Sequence, residues 1–207
     1  MIGNGGLTFQ EFITHEPLPF SEIHEAILEF LRDREDAAVF GAQAVNAYAD
    51  EPRMTQEVDI LAMGAANLSE ALRSHLSDRF RIAVRVRVLE ESGAYRIHQV
   101  HRPTNRHLAD IRGVETLPPT ERIEGILVLS PVALIAEKVR AYARRKGSPK
   151  SWTDRRDIAL LLLRFPELKK GVAPVRDRLI SLGADDRTLE AWAEIAAEAI
   201  LEERDDY

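Results

Sequence analysis

Glu57 and Asp59 flank a single valine in the run Arg53-Met-Thr-Gln-Glu-Val-Asp-Ile60. On a β-strand alternate side chains share a face, so this spacing predicts two carboxylates side by side. Adjacent hard oxygen donors suit Mg²⁺, the usual metal of phosphoryl transfer. Upstream, a hydrophobic run ends in Phe40-Gly41-Ala42 and leads into a helical segment. A short glycine turn at a helix start lets backbone N–H groups meet a triphosphate. A two-metal site typically needs about three carboxylates. Asp110, in Leu108-Ala-Asp-Ile-Arg112, is the candidate third. An unpaired acid within an apolar strand pattern is costly, so this one is expected to have a partner. It is also a candidate general base. The alternative for Asp110 is a salt bridge to Arg96 or Arg112.

The elements that must position these groups follow from periodicity. Ser21 reads as the N-cap of a helix through about Arg32, with Ile23, Ala26, Ile27 and Phe30 on one side. Asp36 to Phe40 reads as a buried strand, Gly41 to Tyr48 as helix, Pro52 as a turn, and Glu57 to Ala62 as a second strand. Leu68 to Leu76 is expected to be helical, with Asn67 as its cap. Arg81 to Leu89 alternates valine or isoleucine with arginine, the pattern of a half-buried strand with a basic outer face. Tyr95 to Val100, Leu108 to Arg112 and Ile126 to Leu129 complete the strands. Ser130-Pro131 is a strong helix start. From there only helices are expected, at about 131–146, 153–164, 173–182 and 186–203, with Lys146 to Lys150 as a connecting loop. The expected fold class is therefore α/β (α+β): a mixed-sheet core over residues 1–129 and a helical region over 130–207.

Composition narrows the function classes. With 207 residues, 45% of them hydrophobic, the chain has material for a sizeable core. It has no cysteine, which excludes disulfides, thiolate metal sites and a cysteine nucleophile. That fits a reducing cytoplasm, the expected location. Residues 1–6 lack a basic start and an apolar run, so no leader is expected. The densest leucine patch, Leu160 to Leu163, is too short to span a bilayer, and no membrane partner is expected. No Gly-x-Ser-x-Gly and no P-loop occur, and His98, His101 and His107 lack the helical spacing of a zinc site. Net charge is −6, which argues against a protein that coats nucleic acid. Charge is unevenly spread: residues 138–156 carry eight cations against Asp154 alone, while 185–207 carry nine acids against Arg187 and Arg204. The two stretches read either as solvated helix faces opposite each other, or as a basic wall for phosphates with an acidic tail elsewhere.

The run Val39 to Tyr48, then Arg53-Met-Thr55, then Glu57-Val-Asp59, resembles the core of the polymerase-β-type nucleotidyltransferases. Within that superfamily it is most similar to the abortive-infection toxin branch (AbiEii/AbiGii-like). The resemblance runs from about residue 36 to 165 and takes in Lys138, within Ser130-Pro-Val-Ala-Leu-Ile-Ala-Glu-Lys138, and Asp157, within Asp154-Arg-Arg-Asp157. It implies a Mg²⁺-dependent enzyme that moves a nucleoside monophosphate from a nucleoside triphosphate to a hydroxyl. Glu57, Asp59 and Asp110 would be catalytic and would hold the metal. Gly41, Ala42, Arg53, Thr55, Lys138 and Asp157 would serve the nucleotide. Lys138 would contact the triphosphate, Asp157 would orient Lys138 or pair with an arginine, and Thr55 would bond to backbone. An RNA or protein acceptor, an antitoxin protein partner and a phage-defence setting are also implied. Two positions depart from the pattern: Glu57 stands where the branch has Asp, and Ala42 where it has Gly or Ser. They motivate an alternative, a catalytically impaired relative that binds a partner or nucleotide as a regulator. A nucleic-acid-binding module using the 138–156 run and the arginines at 81, 85 and 87 is a third reading.

Overall fold

A computed structural model describes residues 18–49 and 53–200. Pro52 and residues 201–203, read from the sequence as a turn and a helix end, lie outside them. The chain forms two units, residues 18–43 with 54–128, and residues 44–49 and Arg53 with 129–200. The segment after Gln43 thus belongs with the helical part, although it precedes most of the sheet in the chain.

The first unit is built on a mixed sheet. In chain order its elements are helix α1 (Phe20–Leu31), strand β1 (Ala37–Phe40), the start of α2 (Gly41–Tyr48), β2 (Val58–Ala62), α3 (Ala65–Phe80), β3 (Val84–Val88), β4 (Tyr95–Gln99), β5 (Arg106–Gly113), β6 (Thr120–Ile123) and β7 (Ile126–Leu129). The strands line up as β3-β4-β5-β2-β1-β7-β6. Strand β2 runs antiparallel to β1 and parallel to β5, while β3, β4 and β5 alternate in direction. Alternation along β2 and β5 sends Val58, Ile60, Ala109 and Ile111 to one face, all completely buried. Helices α1 and α3 pack there. Helix α1 contributes Ile23, Ala26 and Ile27, and α3 contributes Leu68, Leu72 and Leu76, spaced at helical intervals of four.

Local differences from the sequence reading have local causes. Ser21 lies inside α1, whose N-cap is Pro19, so its hydroxyl caps nothing. Asn67 likewise lies inside α3, which starts two residues earlier, after Gly64 at φ 137°. Strand β6 was not expected, because Thr120-Glu-Arg-Ile123 has little apolar content. It is held by a tight turn in which Glu124 and Gly125 both have positive φ, the geometry of a two-residue hairpin.

The second unit gathers helices α4 (Pro131–Arg144), α5 (Pro149–Arg164), α6 (Pro166–Lys170), α7 (Ala173–Ser181) and α8 (Asp186–Ala197). Helix α4 packs against α5, α7 and α8 and so forms the centre. Its start is as expected, with Pro131 in the first turn and Ser130 accepting from the Ala133 N–H. Helix α5 begins earlier than its apolar pattern suggested, because Pro149 starts it within the supposed loop. Among the described residues, no helix is long and apolar enough to cross a membrane.

Ile60 lies in the middle of the sheet with no exposure, whereas Val88 on the edge strand is 52% exposed. Ile60→Ala is expected to destabilise the first unit by about 2–5 kcal/mol. Val88→Ala is expected to stay within about 0.5 kcal/mol. Urea unfolding of the two variants measures both.

Candidate functional site

Register decides which side chains meet. Asp59 on β2 stands directly beside Asp110 on β5, and Asp110 stands directly opposite Arg96 on β4. Outward from Arg96 comes Arg87 on β3; beyond Asp59 comes Phe40 on β1. Paired residues on adjacent strands share a face. Arg87, Arg96, Asp110, Asp59 and Phe40 thus form one row across five strands, on the face opposite Ile60 and Ile111. The sequence placed the two aspartates on separate strands; the parallel β2–β5 pairing brings them together.

Asp110 is tied on both oxygens. Arg96 donates from Nε to Oδ1 and from Nη2 to Oδ2, each at 2.9 Å. Of the two alternatives read from the sequence, the ion pair is therefore formed, and with Arg96 rather than Arg112. The Arg112 guanidinium instead lies 5.1 Å from the centre of the Phe40 ring. His107 Nε2 adds a third contact to Oδ1 at 2.8 Å. A register shift between Ile97 and His98 places a bulge in this part of the β4–β5 ladder, and such a bulge re-aims the side chains around it. Burial pushes the Asp110 carboxyl up. The hydrogen bonds from His107 and Arg96 more than offset this, so its pKa falls to about 2. Such a carboxylate accepts a proton poorly at neutral pH, which counts against the general-base role considered for it. The Arg96 guanidinium is raised above its ordinary value, chiefly by the Asp110 hydrogen bond and further by the charges of Glu57 and Asp59. All three acids therefore act on this one cation.

Gly41 explains how Asp59 fits. Its φ is +70°, and a Cβ there would lie 2.0 Å from Asp59 Oδ2. Only glycine combines that backbone with that approach. Ala42 follows it as the second residue of α2. Glu57 sits half-buried in the bend before β2 rather than in the strand. The bend is held by the buried His24, whose Nε2 is 3.3 Å from the Gln56 carbonyl and whose Nδ1 is 3.4 Å from Gln43 Nε2. Thr55 also precedes the strand. Its Oγ1 is buried with no hydrogen-bond partner among the described residues, contrary to the expected backbone bond.

Among the described residues, no three His, Asp or Glu side chains are gathered into a ready metal cage. The donor chemistry of Asp59 and Asp110 nevertheless suits a hard divalent cation, and Gly41 leaves the Asp59 carboxylate the room a Cβ would fill.

The remaining nucleotide candidates lie in the second unit. Asp157 is completely buried and is shared by two cations. Arg53 reaches its two oxygens at 3.0 Å each, and Lys138 Nζ reaches Oδ2 at 2.7 Å. Burial raises the Asp157 carboxyl, and Arg53 and Lys138 bring it below its ordinary value. Asn46 fixes the Arg53 backbone from both sides, donating to its carbonyl and accepting from its N–H. The basic 138–156 run is largely paired: Arg145 with the buried Asp154, Lys146 with Glu194, and Arg155 with Glu198. Two of those partners come from the acidic C-terminal stretch, so the basic and acidic segments face each other.

Sequence reasoning weighed His107 only as a zinc ligand and missed its contact with Asp110, and it missed His24 altogether. His107 is three residues from Asp110, a spacing that does not by itself suggest contact on a strand. His24 lies on an unrelated helix, and nothing in the sequence links it to Gln56.

Known structures share this arrangement of elements. The polyadenylate synthase of Megavirus matches with a TM-score of 0.59 at 17% identity over 71% of this chain, which spans 32% of that protein's length. JHP933 from Helicobacter pylori matches at 0.52 and 15% identity over 92% of both chains. ANT(2″)-Ia, solved in complex with adenylyl-2″-tobramycin, matches at 0.51 and 15% identity over 86% of this chain and 100% of its own. At these identities the likeness is one of fold. No family model matches the sequence, and no curated protein matches it.

Because the folded pKa of Asp110 lies below its unfolded value of about 3.9, its ion pairs stabilise the fold fully above about pH 5. That contribution, on the order of 2 kcal/mol, is lost as pH falls toward 2. Asp110→Asn is therefore expected to be less stable than wild type at pH 7, with the gap narrowing between pH 5 and pH 2. Urea midpoints across that range measure it.

Proposed function

We propose that the chain is a Mg²⁺-dependent nucleotidyltransferase that moves a nucleoside monophosphate from a nucleoside triphosphate to a hydroxyl acceptor. The observation that carries the reading is the placement of Asp59 beside Asp110 on one sheet face, with Gly41 against the Asp59 carboxylate. Glu57, Asp59 and Asp110 would hold the metal. When bound, the ion neutralises phosphate charge and lowers the pKa of a coordinated oxygen. Gly41 and Ala42 open α2 and offer backbone N–H groups to phosphate. The unpartnered Thr55 hydroxyl supplies a further donor. Arg53, Lys138 and Asp157 are assigned to the nucleotide by resemblance. The buried ion pair holds the Lys138 charge in a fixed position, which suits a phosphate contact.

The abortive-infection branch, resembled through Arg53-Met-Thr55 and the spaced acids, extends the proposal to an RNA or protein acceptor, an antitoxin partner and a cytoplasmic toxin–antitoxin or phage-defence role. ANT(2″)-Ia, with its adenylylated tobramycin, illustrates the fold in a complex with a small adenylylated product.

A second reading has its own support. Both Asp110 oxygens are engaged by Arg96 and His107, and Ala42 and Glu57 depart from the branch pattern. These favour a catalytically impaired relative that binds nucleotide or a partner as a regulator.

Calorimetric titration with each of the four ribonucleoside triphosphates, with and without Mg²⁺, tests the metal-dependent nucleotide site that the enzyme reading requires. Metal-dependent binding of at least one triphosphate, lost in Asp59→Ala, is the expected result. Absence of binding to all four would overturn the enzyme reading.

A further inference from the structure

We propose that Arg96 is a resident counter-ion of the carboxylate row, and that it competes with a divalent cation for Asp110 and so limits how tightly the row binds metal. This deepens the nucleotidyltransferase reading and rests on it in expecting a cation at Asp59 and Asp110.

Asp110 offers about four lone-pair sites as a carboxylate. Arg96 occupies two through its Nε and Nη2 forks, and His107 faces Oδ1 as well. A divalent ion on the same oxygens would place two charges beside a guanidinium held within hydrogen-bond distance of them. By this count one lone-pair site on Oδ2 is left, so a cation that ligates Asp110 meets the Arg96 charge at close range and binds more tightly once Arg96 lets go of an oxygen. The side chain is free to do so: it is 40% exposed, against 22% for Asp110. The guanidinium can turn into water while the carboxylate stays on the sheet. Until then Arg96 does the work a metal would do, relieving the repulsion between two aspartates set abreast. Arg87 occupies the next place outward on the same face and carries the same charge, but stands opposite Arg96 rather than Asp110. It therefore separates a specific ion pair from the general positive field of β3 and β4.

The test uses the full-length protein and Mn²⁺ alone, followed by electron paramagnetic resonance of the free ion. Removing one positive charge about 5 Å from a divalent ion changes its affinity by roughly tenfold even at the dielectric constant of water. Arg96→Gln is expected to bind Mn²⁺ roughly tenfold more tightly than wild type, and adding Asp110→Asn to it is expected to abolish the gain. Arg87→Gln is expected to change affinity by less than about twofold, since screening by water and salt weakens the more distant charge. If Arg96→Gln does not fold, Arg96→Lys carries the test. It keeps the charge but gives up the bidentate grip, and a gain of about threefold is expected. Mn²⁺ binding to wild type that neither Arg96 variant tightens would overturn the competition while leaving the metal reading intact. No Mn²⁺ binding to wild type or to any variant would overturn both.

Discussion

Two aspartates standing abreast in a parallel pair of strands are the constraint around which the first unit is organised. The β2–β5 register sets Asp59 beside Asp110, and like charges so placed repel. The strand order answers this. Strand β4 lies on the far side of β5 and brings Arg96 opposite Asp110. The irregular β4–β5 register accompanies the His107 contact to the same carboxylate. On the other side β1 ends at Phe40, and the chain turns through Gly41, which alone can approach the Asp59 carboxylate with φ at +70°. Sheet order, bulge and glycine turn all serve one pair of charges.

The second unit handles buried charge by a similar rule. Asp157 is fully enclosed and is matched by Arg53 and Lys138. Asp154, also buried, is matched by Arg145. Removing Asp157 would leave the buried Lys138 without its partner. Of the dense basic run, Lys138 and Arg145 thus match buried acids, while Lys146 and Arg155 reach Glu194 and Glu198 of the acidic C-terminal stretch. That limits how much of it is available to a polyanion, in keeping with the net charge of −6.

Much of the fold was legible in the sequence because burial leaves a period. The alternation around Val84 to Val88, the apolar run before Gly41 and the Ser130-Pro131 start all appear where they were expected. The caps at Ser21 and Asn67 did not, because the backbone entered those helices through Pro19 and Gly64 instead. Of the site, Asp59 and Asp110 were readable as carboxylates in apolar surroundings, and the Arg96 pairing was one of two named alternatives. Asp110 was expected on a strand neighbouring that of Asp59, but the register that sets the two side by side was not readable, because it depends on a parallel pairing between strands some fifty residues apart in sequence. The His107 contact depends on a bulge, and His24 on a tertiary contact with a backbone carbonyl. Neither leaves a mark on residue spacing.

The most direct measurement is a crystal of the protein grown with Mn²⁺ and a non-hydrolysable nucleoside triphosphate, with data collected at the manganese absorption edge. An anomalous peak within ligand distance of the Asp59 carboxylate, with Gly41 and Ala42 against the phosphates, is the predicted result. Nucleotide and manganese bound away from Asp59, with the Arg96–Asp110 pair undisturbed, would contradict the assignment of this carboxylate row as the reactive centre.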